Sequence, residues 1–295
     1  MSGRVDAAPV RGAIAARQGS ARPNRRGSAR LGRAGLVGLA AVLGIFLALP
    51  VTVLVIRSVA GGALIGVMGS AAVLDALGLS LMTTAASVAL AVLFGTPLAI
   101  ILARRRFRGS SLVEAAVDLP IVLPPSVAGL ALLLVFGRRG LLGEPLQLAG
   151  LSIPFTVLAV VLAQTFVAAP FFIRSARAGI AAVDRDLEDA ARVDGASERH
   201  VFRWITVPLA APALAAGLVM CWARALGEFG ATIMFAGNVA GRTQTLPLVV
   251  YGEFQGGGLD ASIAAATILV LAALGVLFAV RALRWGRALD LRGSG

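Results

Sequence analysis

Long blocks without a single charge alternate along this chain with short blocks dense in arginine. Six uncharged stretches, Gly35 to Ile56, Leu79 to Ala103, Leu119 to Gly137, Pro145 to Ile173, Trp204 to Ala223 and Ala261 to Val280, can each cross a ~30 Å hydrocarbon core as a helix, which takes about 17–25 residues. The pattern predicts an all-α, polytopic membrane protein with about six transmembrane helices. Two shorter apolar runs, Gly61 to Leu74 and Phe229 to Gly241, are too short to span and read as interfacial or re-entrant segments buried against protein. Prolines recur inside the spans, at Pro97, Pro120, Pro124, Pro125, Pro154, Pro170 and Pro212. Each leaves a carbonyl that neighbouring helices or water must satisfy, so the spans are expected to pack as a bundle. The pair Pro124 and Pro125 has two readings, an ordinary kink and a hinge.

Composition narrows the class. Of the 295 residues, 58% are hydrophobic and 14% charged, and the mean hydropathy is +0.88, whereas soluble domains carry about 25% charged residues. All 27 basic residues are arginine. Without lysine there is neither a Walker A loop nor Schiff-base chemistry. A single cysteine, Cys221, and a single histidine, His200, exclude an internal disulfide and a zinc site built on several Cys or His ligands. An intramembrane enzyme would need a nucleophile, a base or a carboxylate pair inside the spans. The charges at membrane depth are Arg224 and Glu228 alone, so no catalytic residue is assigned.

A net charge of +12 would suit nucleic acid, but the placement of the arginines gives it another meaning. With the N-terminus inside, 22 arginines fall on the cytoplasmic side and four, Arg57, Arg138, Arg139 and Arg242, on the other. This asymmetry is an orientation signal that predicts two cytoplasmic termini and no nucleic-acid partner. Residues 1–33, rich in Arg, Ala, Gly and Ser, are expected to form a disordered cytoplasmic tail. Residues 34–285 would be the membrane domain and 286–295 a second tail.

The cytoplasmic loop over residues 174–208 carries charges of both signs, including Asp184, Asp186, Glu188, Asp189, Asp194 and Glu198. Asp184 is a good N-cap, and the acids after it sit where a helix dipole favours negative charge. Gly195 supplies a left-handed end. A short helix from about Arg185 to Asp194 follows, with Leu187, Ala190 and Ala191 at i, i+3, i+4. Its two alanines leave a surface low enough for another protein to approach closely. Ser197 can cap a second helix running towards Ile205, with Pro208 where that helix enters the membrane.

The run Asp189, Ala190, Ala191, three residues, Gly195, nine residues, Ile205, one residue, Val207, Pro208 resembles the EAA motif of ATP-binding-cassette importer permeases. Asp189 stands where that motif has glutamate, with Glu188 beside it, and either carboxylate could take the glutamate's role. Glu114, Ala115 and Ala116 spell the triplet too, but Pro120 falls where the glycine should be. Two further stretches, Asp118 to Gly140 and Ala223 to Leu248, are similar to the permeases of molybdate and tungstate importers. The core ARALGEFGA, Ala223 to Ala231, is shared with sulfate and thiosulfate permeases, the alternative. Thr232 to Asn238 and Thr243 to Tyr251 favour molybdate.

The resemblance implies the type I importer permease fold and a set of partners: a second permease copy forming a homodimer, two ATPase subunits and a periplasmic or lipid-anchored oxyanion-binding protein. Sulfate systems instead pair two different permeases. ATP and Mg would bind the ATPase, and this chain would hold no cofactor and no metal. Leu187, Glu188, Asp189, Ala190, Ala191, Gly195, Ile205 and Pro208 would form the coupling element that docks on the ATPase. For Arg224 and Glu228, four residues apart on one helical face, a structural ion pair and a place along the translocation path both stand. Asn238, Thr243 and Thr245 read either as solvated residues of an exposed periplasmic loop or as hydrogen-bond donors to an oxyanion at the outer mouth.

Overall fold

A computed structural model describes the backbone of residues 25–105 and 107–290, in two units, Met1–Val53 and Leu54–Gly295. All regular elements among the described residues are helices. The first unit contributes most of α1 (Arg25–Ala60), a 36-residue helix with Pro50 inside it. Of the expected N-terminal tail, residues 1–24 lie outside the described residues and 25–33 are the first turns of α1. Of the expected C-terminal tail, 286–290 belong to the last helix and 291–295 lie outside. Arg106 also lies outside.

In the second unit, α7 (Val157–Ala181) is the central element, packed by α3 (Ala71–Arg104) and α9 (Glu198–Leu226). The shared core is made largely of small side chains: Ala91 and Ala99 on α3, Ala168 and Ala176 on α7, Ala210 and Ala225 on α9, with Phe172 and Ile180 filling the space between them. Helices in lipid gain little by hiding apolar surface from one another, so small residues that let backbones come close provide the attraction. A Cβ at Gly217 of α9 would lie 2.8 Å from the Ser175 Cβ of α7. Hydroxyls add ties, Ser175 Oγ donating to the Ala213 carbonyl at 2.7 Å and Ser87 Oγ lying 3.0 Å from the Val161 carbonyl.

The third expected span, Leu119 to Gly137, is not one straight helix. α4 (Ser110–Val122) and α5 (Pro125–Phe136) meet at a 120° bend. At ~1.5 Å per residue each arm is about 18–20 Å long and falls short of the core thickness alone. Together they still run the length of α7. α4 pairs with its C-terminal end, Glu114 Oε1 to Arg177 Nη2 at 2.8 Å and Asp118 Oδ1 to Arg174 Nε at 3.4 Å. α5 packs Ala128 and Leu132 in one cluster with Ala159, Val160 and Ala163 near its start. Pro124 and Pro125 are the corner itself: Pro124 has extended geometry and Pro125 opens α5, as expected where a proline restricts the residue before it.

The fourth span begins at Val157, not at Pro145. Pro154 interrupts the apolar run, and Thr156 caps α7 by accepting from the Ala159 amide at 3.3 Å. The residues before it form the short α6 (Gly143–Leu148) and a loop. Arg174 and Arg177, expected in the cytoplasmic loop, lie on α7. Of the two short apolar runs, the first holds α2 (Ala63–Met68) and the start of α3. The second holds α10 (Gly230–Phe235), whose Ala231, Thr232 and Phe235 are buried. α11 (Leu246–Gln255), which the sequence pattern did not predict, follows and packs on α3 and α12 (Leu259–Asp290) through Val73, Ala76, Leu246, Val249 and Ala265.

α10 is held closely against α5, where a Cβ at Gly129 would meet the Ala231 carbonyl and the Met234 Cβ, both at 2.7 Å. Gly129→Ala is therefore expected to lower the melting temperature of the purified protein, overpacking costing about 1–3 kcal/mol. Gly78→Ala, whose added Cβ meets nothing within 4 Å, should leave it unchanged or raised, and melting in detergent compares the two.

Candidate functional site

The charged loop folds as the spacing of its residues requires. α8 (Arg185–Val193) is capped by Asp184, whose Oδ1 accepts from the Asp186 amide at 3.0 Å. Asp186 and Glu188 occupy the first turn and Arg192 the last, so charge follows the dipole at both ends. The helix closes with two reverse bonds, Gly195 N to the Arg192 carbonyl at 3.0 Å and Ala196 N to the Ala191 carbonyl at 2.9 Å. Gly195 has φ +88°, the left-handed position that this closure puts on a glycine. Ser197 precedes α9, but its hydroxyl does not cap it.

Two adjacent carboxylates divide the work. Asp189 points outward, its Oδ1 2.6 Å from Arg192 Nη1. Arg192 also reaches Glu198 across the corner, Nε to Oε1 at 2.7 Å. These bonds raise the Arg192 pKa and lower that of Glu198. Glu188 turns inward and is 5% exposed. Its Oε1 accepts from Arg104 Nη2, at the end of α3, and from Thr206 Oγ1 on α9, both at 2.6 Å. Arg104 Nη1 donates to the Val183 carbonyl at 3.3 Å. Leu187, Ala190 and Gly195 stay exposed on the open face, Ala191 and Ile205 are half-buried, and Pro208 is exposed.

Over Phe202–Thr206 the turn of α9 widens, the Val207 amide bonding back to the Phe202 carbonyl. Pro208 follows directly. A proline lacks the N–H and crowds the carbonyl four residues earlier, and the widened turn makes room for it without breaking the helix. The motif's proline thus sits inside a continuous helix of 29 residues.

At the far end of α9, Arg224 Nη1 lies 2.6 Å from Glu228 Oε2. The two do not share a helical face: α9 stops at Leu226, and Glu228 lies past the closing Gly227. Glu228 is 1% exposed, and its Oε1 accepts from the Ala231 amide of α10 at 2.7 Å. The pair therefore fastens the corner between α9 and α10. Thr243 and Thr245 are buried, contrary to the expected exposed loop. Thr243 Oγ1 accepts from the Val239 amide at 3.1 Å, the Thr245 hydroxyl has no protein partner, and Asn238 alone of the three is exposed.

Residues 95–285 match the family described as binding-protein-dependent transport system inner membrane component. The chain belongs to this family. It is a multi-pass membrane protein, and among the described residues five helices are long and apolar enough to span, or six when α4 and α5 count as one. This permease is 45% identical over 207 residues to the molybdenum transport system permease protein ModB of Mycobacterium tuberculosis, covering 70% of this chain and 78% of that one. It is 38% identical over 244 residues to the molybdate/tungstate transport system permease protein WtpB of Pyrococcus abyssi, covering 82% and 92%. A solved bacterial ABC transporter involved in the import of the acidic polysaccharide alginate shares the fold, with a TM-score of 0.66 at 19% identity over 86% of this chain and 94% of that one.

Arg104 and Thr206 of this permease were invisible as site residues in the sequence: Arg104 counted only as one of many basic residues and Thr206 filled an unspecified place in the motif. At the other corner, Glu228→Gln keeps an acceptor for the Ala231 amide and removes the charge facing Arg224, whereas Glu228→Ala removes both. Melting temperatures of the purified permease should fall in the order parent, Gln, Ala, the last leaving a buried amide unsatisfied at a cost of about 1–3 kcal/mol. Equal values would mean that the corner is held by something else.

Proposed function

We propose that this permease moves molybdate or tungstate into the cytoplasm as the membrane subunit of an ATP-binding-cassette importer. Substrate identity rests on its relatives, named for molybdenum and for molybdate/tungstate. The sulfate alternative is not favoured by them. The observation that carries the coupling half of the reading is α8: a capped, closed, polar helix whose exposed Leu187, Ala190 and Gly195 form a low face. With no lysine to build a Walker A loop, this chain needs an ATPase from outside, and α8 is the element shaped to receive one.

Two copies of the permease would form the path, and two ATPase subunits holding ATP and Mg would close on the coupling helices from the cytoplasmic side. A periplasmic or lipid-anchored binding protein would deliver the oxyanion opposite. Alternation between inward and outward states then follows from the different contacts each partner makes with the two states. High affinity belongs to the binding protein, because a path must release what it carries. Asn238, Pro124 and Pro125 stand at exposed positions open to such a path. Thr243, Thr245, Arg224 and Glu228 support its walls.

Cells lacking this gene should lose uptake of labelled molybdate at submicromolar concentration, and in the parent strain tungstate should compete while sulfate does not. Lost sulfate uptake with molybdate unchanged would move the chain to the sulfate branch. A second measurement addresses coupling. A Cβ at Gly195 meets nothing within 4 Å, so Gly195→Asp leaves the chain room to fold while placing a charged side chain, at a left-handed position costing about 1–2 kcal/mol, on the docking face. Normal membrane levels with uptake abolished are expected; full uptake would remove α8 from the coupling role.

A further inference from the structure

α8 has an unusual foothold. Its one buried side chain is Glu188; Leu187 is 51% exposed and Val193 87% exposed, and of its apolar residues only Ala191 is half-buried, so apolar packing contributes little to seating the helix on the bundle. What holds it from within is a single carboxylate oxygen shared by the Arg104 guanidinium and the Thr206 hydroxyl, each at 2.6 Å. Those two groups belong to different spans: Arg104 is the last residue of α3, and Thr206 closes the widened turn that opens the membrane part of α9. Arg104 also grips the carbonyl of Val183, just after α7, and its own carbonyl accepts from Arg185 Nη2 at 3.2 Å. An open groove of about 500 Å³, with Arg104, Glu188, Thr206, Ile180 and Val201 among its walls, lies beside these contacts.

We infer that Glu188, Arg104 and Thr206 form the latch through which displacement of α8 is delivered to α3 and α9 together. The inference rests on α8 being the coupling helix, as proposed above. A pull on α8 through covalent connections alone would reach α7 and α9 across the non-helical corners at 182–184 and 195–197. Through the latch it reaches α3, which has no chain connection to α8, by a charge-assisted bond that is short and largely shielded from water, the Arg104 and Glu188 side chains being 17% and 6% exposed, where such bonds are strong. Asp189, exposed and already engaged by Arg192, makes no contact of this kind. The two adjacent acids of the motif therefore have different duties, Glu188 as a positioning residue facing the bundle and Asp189 as part of the outward face.

Two measurements test the latch. In proteoliposomes holding the permease with its ATPase and binding protein, Glu188→Gln and Thr206→Val should lower the molybdate moved per ATP hydrolysed by about tenfold, within the usual range of coupling between sites, whereas Thr206→Ser, which restores the hydroxyl, should recover it. A latch that only stabilised the fold would reduce transport and hydrolysis in proportion and leave that ratio unchanged, which overturns the inference. In the permease alone, a nitroxide on Ala190→Cys should be immobilised in the parent and mobile in Glu188→Gln; buried Cys221 is shielded from the label. Equal mobility overturns the inference whatever the transporter carries, and failure of the parent itself to move molybdate, with this difference in mobility present, would count against the substrate and not against the latch.

Discussion

In hydrocarbon, apolar surface has no reason to leave its surroundings for another helix, and everything in this bundle depends on how that lack of a driving force is met. The answer is close approach. α7 carries Ala168 and Ala176 against alanines of α3 and α9, and Gly217 leaves no room for even one carbon between α9 and Ser175. Dispersion rises steeply at such distances, so three helices made of weakly hydrophobic small residues form the rigid part of the molecule. Larger side chains lie on the outside of the bundle, where Leu93, Phe94 and Leu134 are exposed.

Close packing leaves the charged groups at the corners. Every ion pair among the described residues lies where a helix ends or at the end of a span: Glu114 and Asp118 with Arg177 and Arg174, Arg104 with Glu188, Arg192 with its three acids, and Arg224 with Glu228. A charge within the core thickness is costly, and one beside unsatisfied helix-terminal groups gains partners. Arg224 and Glu228 show both sides of this. Their approach to 2.6 Å is off the N–H axis, and Glu228 spends its other oxygen on the amide that starts α10.

Much of this was legible because local chemistry and fold agree. Asp184 as a cap, the acids after it and Gly195 with positive φ define α8 to within one residue of its expected end, and four of the six spans fall where uncharged length puts them. What escaped was direction and depth. Hydropathy counts apolar residues without saying whether the chain turns, so the 120° bend at Pro124 and Pro125 read as part of a straight span, and the apolar loop before Thr156 read as part of α7. Thr243 and Thr245 looked solvated because loops usually are, yet here the loop folds back into the protein. The choice between Glu188 and Asp189 was unreadable for a simpler reason: neighbours on a helix point about 100° apart, and the partner that decides between them, Arg104, is 84 positions away in sequence.

The two polar corners are not independent, because α9 joins them. Thr206 and Arg224 stand 18 residues apart on one helix, about 27 Å at 1.5 Å per residue, and the helix runs on between them with Pro212 inside it. Over that length it is seated on α7 by Gly217 and Ala210 and by the Ser175 bond to Ala213. Such an interface tolerates sliding or pivoting of whole helices better than bending, since bending would open gaps that small side chains cannot fill. The departure from regular helical geometry lies instead at the head of α9, in the widened turn whose last residue is bonded to Glu188. If α8 is the coupling helix, as proposed, a shift of it would reach the Arg224–Glu228 corner as a displacement of α9 as a whole, and with it of α10, whose first turn is tied to Glu228 and whose small residues abut α5. On that proposal, the sharing of α9 by both corners would give a helix of nine residues at one end of the bundle mechanical reach to the other.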